Sequence, residues 1–400
     1  MRRVPVLLSL ALIPALVFCC SCSPAKDTKV SGSAIQENPP QEKTVVPIDV
    51  VHDELARFLC GLATSSPVLR PFQETAAWKD FASFMEKSWA ELDAKRLKPM
   101  RDWAQSEFAD AIDETKVLFY PFGGPDFLTA YQLFPTAETY ILLGLEFIGS
   151  LPEFEKQTSK QVDAYLENLE FSLSDFLKKS YFITHDMNES LQPSKVHGIL
   201  PLLCFFVKKA EASIVEIQRL ELDAQGNLLE MPYEENPKKV RRPYGVKMLF
   251  LPEGSRKVKS LYYFSCDLAD SAFTRSSKLH IYLDRLGRVT TYIKSGSYLL
   301  HYKEFSNLRD MILAKSVYIL EDDTGVPYRY FPPKDWEVQL YGQYIKPVKD
   351  FSGVEQPDLK AAYGDPARVK PLPFHLGYHW GSNLDSLLFI KRISSLPGRH

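Results

Sequence analysis

Apolar positions in the first part of the chain recur at helical spacing. Leu55, Phe58, Leu59 and Leu62 fall at i, i+3, i+4 and i+7. Trp78, Phe81, Met85, Trp89 and Leu92 form a second stripe, which Ala104, Phe108 and Ile112 continue. Each stripe is the core face of an amphipathic helix. The pattern then changes. Val117–Tyr120 is a short apolar run ended by Pro121-Phe122-Gly123-Gly124-Pro125-Asp126, a helix is predicted over 127–134, and 140–145 reads as a second strand. Strand, glycine turn, helix and strand in about 30 residues outline a βαβ unit.

Further along, helices are predicted at 159–179, 196–209, 277–286 and 305–314, and strands at 213–222, 246–251, 258–265, 317–320 and 336–344. Asp223-Ala224-Gln225-Gly226-Asn227 reads as a turn leaving a strand, 236–243 as a basic surface loop, and the last 55 or so residues, rich in Pro and Gly, as a wrap over the body. The expected fold is therefore α+β, with a helical N-terminal half containing a small βαβ-like unit and a more sheet-rich C-terminal half. The change of pattern near residue 210 is where the module, 50–400, could divide.

The N-terminus has a different pattern. Met1, Arg2 and Arg3 precede an apolar run over 4–18, which is shorter than the ~20 residues of a spanning helix and has the layout of a secretory signal. The run stops at Cys19-Cys20-Ser21-Cys22. This junction resembles a bacterial lipoprotein cleavage site, with Ser21 as the small residue before an acylated Cys22; Cys20 is the alternative. Residues 1–21 are then the signal. A tether over 22–49, without Phe, Trp or Tyr from Ser23 onward and with Pro24, Pro39, Pro40 and Pro47, cannot bury enough surface to offset its ordering entropy. The expected location is the cell envelope, on either membrane, with the lipid (palmitate or a similar acyl chain) as the membrane contact.

Composition changes this picture little. The chain is 45% hydrophobic and 24% charged with a formal charge of −2, and loss of Arg2 and Arg3 with the signal makes it −4. No basic excess supports a nucleic-acid partner. Cys60, Cys204 and Cys266 are far apart and odd in number, so disulfides do not staple this fold. Cys204, within Leu202-Leu203-Cys204-Phe205-Phe206, reads as a small buried hydrophobe.

Candidate chemistry is sparse, and no motif calls for a cofactor. Gly123-Gly124-Pro125-Asp126 lets backbone approach a ligand, with Asp126 as a general base or metal ligand; the plainer reading is a helix cap, for which Asn serves about as well at a cost of at most ~1 kcal/mol. Glu321-Asp322-Asp323-Thr324-Gly325 ends a buried strand, where Asp322 and Asp323 could serve a hydrolase, with or without a metal. It departs from the Asp-x-Asp-Gly-Thr of haloacid dehalogenases and fits an acidic turn, which Arg329 and Lys334 could neutralise. His375 and His379 share a face as helix or strand and are weak metal candidates against an aromatic cluster with Tyr378 and Trp380. Ser297 with His301, and Thr184-His185-Asp186, lack the context of a catalytic triad.

Three stretches look familiar: Tyr120-Pro-Phe-Gly-Gly-Pro-Asp-Phe127, Leu320-Glu-Asp-Asp-Thr-Gly-Val-Pro-Tyr-Arg-Tyr-Phe331 and Leu372-Pro-Phe-His-Leu-Gly-Tyr378. Together they resemble an uncharacterised family of exported bacterial proteins. The resemblance implies export and one long module, and assigns no catalytic residue. The expected function is a membrane-anchored module that binds an envelope protein or a small ligand, with an envelope hydrolase using the acidic residues as the alternative.

The anchor is directly testable. Cys22→Ser should release the protein from membranes or stall its processing, and an intact mass showing an unmodified N-terminus beyond residue 22 would overturn the lipoprotein reading.

Overall fold

The computed structural model describes residues 46–108, 115–179, 191–192, 195–233, 244–379, 381 and 384–393. The expected signal and nearly all of the expected tether lie outside these residues, as do Ile112, 184–186, 236–243 and Trp380. The fold is α+β, with helices mostly in the N-terminal half and strands more in the C-terminal half.

The N-terminal stripes form helices with identifiable stops and starts. α1 (Val50–Leu59) is capped by Asp49, whose side chain accepts from the His52 amide; this last residue of the expected tether also donates its own amide to Ile214 O at 3.0 Å. Leu62 falls beyond the helix, which ends in a left-handed turn at Gly61 (φ 70°), and its side chain is exposed. After the short α2 (Arg70–Gln73), α3 (Ala76–Leu92) is capped by Thr75 and continues through a π-helical turn at Asp93–Leu97 into α4 (Lys98–Phe108).

The βαβ unit forms as its pattern implies: β1 (Val117–Tyr120), α5 (Phe127–Leu133) and β2 (Thr139–Gly144), with β1 and β2 parallel. α6 (Ser159–Lys179) follows. α7 (Leu200–Lys209) starts four residues later than expected, with Pro201 in its first turn, where the missing N–H costs nothing. An antiparallel set comes next: β3 (Ala212–Leu222), β4 (Leu228–Pro232), β5 (Gly245–Pro252) and β6 (Lys259–Ser265). The remaining elements are α8 (Lys278–Asp284), β7 (Val289–Ile293), α9 (Ser306–Lys315), β8 (Ser316–Glu321), β9 (Trp336–Gly342), α10 (Pro357–Tyr363), the two-residue β10 (Val369–Lys370) and β11 (Ser386–Arg392).

All eleven strands join one sheet in the order β10-β9-β11-β8-β7-β1-β2-β6-β5-β3-β4. The five from β8 to β6 are mutually parallel. Pairing crosses residue 210, since β1 pairs with β7 and β2 with β6. Side chains alternate between two cores, as a pleated strand requires. Leu118, Tyr120, Tyr140, Leu142 and Tyr263 pack under α1 and α3–α7 on one face. Phe119, Ile141, Leu143, Ile293 and Ile319 pack under α8, α9 and α10 on the other. A parallel sheet covered on both faces explains why β1 and β8 read as unbroken apolar runs.

The expected C-terminal wrap is corrected in one respect. β11 is no surface strap: it lies antiparallel between β8 and β9 and hydrogen-bonds to both. Its Leu387, Leu388 and Ile390 are buried, so the segment belongs to the core despite its Pro- and Gly-rich surroundings. Ending the chain after Asp385 should therefore abolish cooperative unfolding and leave the product insoluble, because two inner strand edges lose their partner. A truncated protein melting with the parent would show that β11 is dispensable.

Candidate functional site

The order of the parallel strands creates a crevice. From β1 the chain steps to β2 and then β6, and returns to the other side of β1 for β7 and β8. The helix after β1, α5, packs on one face, and α9, the next long helix after β7, packs on the other. Their loops diverge at the carboxyl ends of β1 and β7, which is where doubly wound sheets bind ligands.

A cavity of about 160 Å³ lies there, between Phe122–Asp126 and Lys294–Ser297, with Glu146 after β2, Asp267 after β6 and Tyr378 completing the wall. Enclosed pockets for drug-sized molecules run to roughly 300–1,000 Å³, so this one encloses a ring-sized group and leaves the rest of a ligand at its mouth. Backbone strain gathers at the same place. Of the five non-glycine residues with positive φ among those described, four are Phe122 (61°), Ser295 (54°), Ser297 (50°) and Tyr298 (54°). Each costs on the order of 1–3 kcal/mol, and such costs persist mainly at binding and catalytic sites. The Ser295 Oγ on the cavity wall is buried and has no hydrogen-bond partner.

The two loops are joined by charge. Lys294 Nζ lies 2.5 Å from Asp126 Oδ2, with both side chains almost completely buried. Burial pulls the Lys294 ammonium below the ordinary lysine range, and the Asp126 carboxylate opposes this. Asp126 Oδ2 also accepts from Tyr120 (3.2 Å) and the Thr129 hydroxyl (2.5 Å), while Oδ1 caps α5 through the Thr129 amide (3.1 Å). Asp126 is thus the cap that the sequence suggests and also one half of a buried ion pair, which spacing alone did not reveal.

Asp322 and Asp323 stand behind the β7 loop and do not line the cavity. Asp322 accepts the amides of the strained Ser295 (2.8 Å) and of Thr324 (3.0 Å), and the Thr324 hydroxyl accepts the Gly296 amide (2.7 Å). Asp323 accepts from the Tyr298 and Ser386 hydroxyls. Both acids rise to about 6, mainly because burial penalises the charged form. A carboxyl raised in the folded state favours folding below its unfolded value near 4, and that contribution is lost as pH rises through about 6. Glu321, fully buried, accepts the Val326 amide at 2.9 Å.

The other sequence candidates are dispersed. His375 Nδ1 is 2.5 Å from Asp385 Oδ2, whereas His379 Nε2 lies 3.8 Å from Asp323 Oδ1. Among the described residues no group of three or more His, Cys, Asp or Glu side chains could hold a metal. Ser297 Oγ pairs with the Tyr378 hydroxyl at 2.8 Å, while His301 is half-buried against Tyr298 and held to about 4 by desolvation and two arginines. Cys204 is wholly buried, which raises its thiol well above the usual range.

Glu146, absent from the sequence candidates, sits two residues after β2. A Cβ on Gly144 would lie 2.5 Å from Glu146 Oε2 and 3.0 Å from Gly124 Cα, so glycine at the end of β2 lets the carboxylate fold back against the β1 loop. Tyr263 OH donates to it at 3.2 Å, and burial raises its carboxyl above the ordinary range.

A larger depression of about 1,000 Å³ runs along α3, but several of its charged groups are already matched: Arg101 with Asp93 (2.8 Å) and Gln132 (2.7 Å), and Lys79 with Glu74 (3.1 Å). No protein-family model matches the chain, and no curated protein matches it.

The ion pair makes a measurable difference. Asp126→Asn retains a cap but strands a buried ammonium, so it should cost ~3–5 kcal/mol in urea unfolding rather than the ~1 kcal/mol of a cap. Adding Lys294→Met should recover most of that loss. A cost under 1 kcal/mol for Asp126→Asn alone would mean that the pair does not hold the loops together.

Proposed function

We propose that this chain is an envelope lipoprotein, anchored through Cys22, whose body captures a small ligand in the crevice between the β1 and β7 loops. The observation that carries the reading is the coincidence of a cavity, four strained residues and an unpaired serine hydroxyl at the switch point of the sheet. The stretches that resemble an exported family support it. Tyr120–Phe127 forms one wall, Leu320–Phe331 braces the opposite loop, and Leu372–Tyr378 contributes Tyr378 to the rim. The lipid anchor is compatible with the body, since no helix among the described residues is long and apolar enough to cross a membrane.

Binding is favoured over hydrolysis by what the carboxylates do. Asp126 is committed to Lys294 and a helix cap, and Asp322 and Asp323 brace a loop. None of these three is left opposite another across the cavity as a general acid and base would be. Leu145, on the cavity lining but largely exposed, offers a test that spares the core. In thermal unfolding against a panel of small polar metabolites, at least one should raise the melting temperature of the parent and fail on Leu145→Trp. At a hundredfold excess over Kd the gain is about 2.7 kcal/mol. Compounds that stabilise both proteins equally, or none that stabilises the parent, would overturn the proposal.

A further inference from the structure

We infer that the crevice is a seat for a ribonucleoside without phosphates, its ribose diol held by Glu146; this rests on the ligand-binding reading above. The five parallel strands run β6-β2-β1-β7-β8, which places the first strand of the set in the middle, its next two on one side and the last two on the other. This is the nucleotide-binding order, in which an acidic residue about 20 positions beyond the glycine turn takes the ribose hydroxyls. Glu146 stands 22 positions after Gly124, at the end of the second strand, with its carboxylate against that turn on the cavity wall. Two hydroxyls on adjacent carbons can donate to the two oxygens of one carboxylate, which retains acceptor capacity beside Tyr263. The cavity has the volume of such a ring rather than of a whole nucleotide.

The walls also say which nucleosides are excluded. In dinucleotide sites the phosphates rest on the amides that start the first helix. Here the Asp126 carboxylate takes the Thr129 amide in the first turn of that helix and puts a negative charge where a phosphate would sit, and Lys294, the ammonium on the wall, is paired with it at 2.5 Å. Glu146 and Asp267 are the remaining acidic groups on the lining, so a phosphate would meet like charge. Asp267 and the buried Leu268, after the neighbouring β6, form the wall that the base meets. A carboxylate there accepts from an exocyclic amino group, which uridine lacks.

Titration calorimetry of the mature lipoprotein in detergent, with adenosine, guanosine, cytidine and uridine, tests the inference. At least one amino-bearing nucleoside should bind. Its 2′,3′-dideoxy form and its 5′-monophosphate should each bind at least tenfold more weakly, and Glu146→Gln should lose a similar factor. The dideoxy comparison uses the unaltered protein and stands even if that variant folds poorly. Equal binding of the ribo and dideoxy forms, or binding of none of the four, overturns the inference. If another polar metabolite still stabilises the parent and not Leu145→Trp, the binding crevice stands and only the ligand class falls. If no compound does, the reading beneath it falls too.

Discussion

The contact between Lys294 and Asp126 is the constraint on which the rest of the site depends. A doubly wound sheet necessarily splays its loops at the switch point, because the chain leaves β1 for one face and β7 for the other. A splayed crevice holds a defined shape only if something spans it. Here an ammonium and a carboxylate, both nearly inaccessible to water, span it at 2.5 Å. Neither charge tolerates burial without the other. The pair therefore fixes the separation of two loops whose backbones, at Phe122 and Ser295–Tyr298, sit in conformations that an unconstrained chain would leave.

The acidic turn after β8 extends this bracing. Asp322 and Thr324 take the amides of Ser295 and Gly296, Asp323 takes the Tyr298 hydroxyl, and Tyr378 donates to the Ser295 carbonyl at 3.0 Å. Two segments distant in sequence, the turn after β8 and Tyr378, thus converge on one loop, and carboxylates that look catalytic in isolation act as its scaffold. The raised proton affinity of Asp322 and Asp323 is a cost of that scaffold, arising from burial.

Much of the fold was legible because its period was clean. β1, α6 and the βαβ unit lie where apolar spacing places them. β7 was missed because Thr290 and Thr291 read as polar, yet both are buried, with Thr291 bonded to Ser316 at 2.7 Å and Thr290 to Thr115. β11 was hidden by the prolines and glycines around it, although Ser386–Arg392 carries a compact apolar run. Losing β7 also concealed the site, since Lys294 is conspicuous only as the residue after a strand. Glu146 did leave a signal, an acid two residues after the second strand of the βαβ unit, but its meaning depends on a strand order that no local pattern encodes. The pairing of Asp126 with Lys294 spans 168 positions and left none.

The place of β11 bears on timing. A chain synthesised or threaded through a pore from its N-terminus presents β8 and β9 long before Ser386–Arg392 emerges, yet these strands meet only through that last segment. The sheet is therefore topologically unfinished until Ser386–Arg392 has emerged. Contacts of such long sequence separation form slowly. Late closure keeps β8 and β9 apart until β11 arrives, at the cost of a period in which unpaired inner strands need shielding from one another's copies.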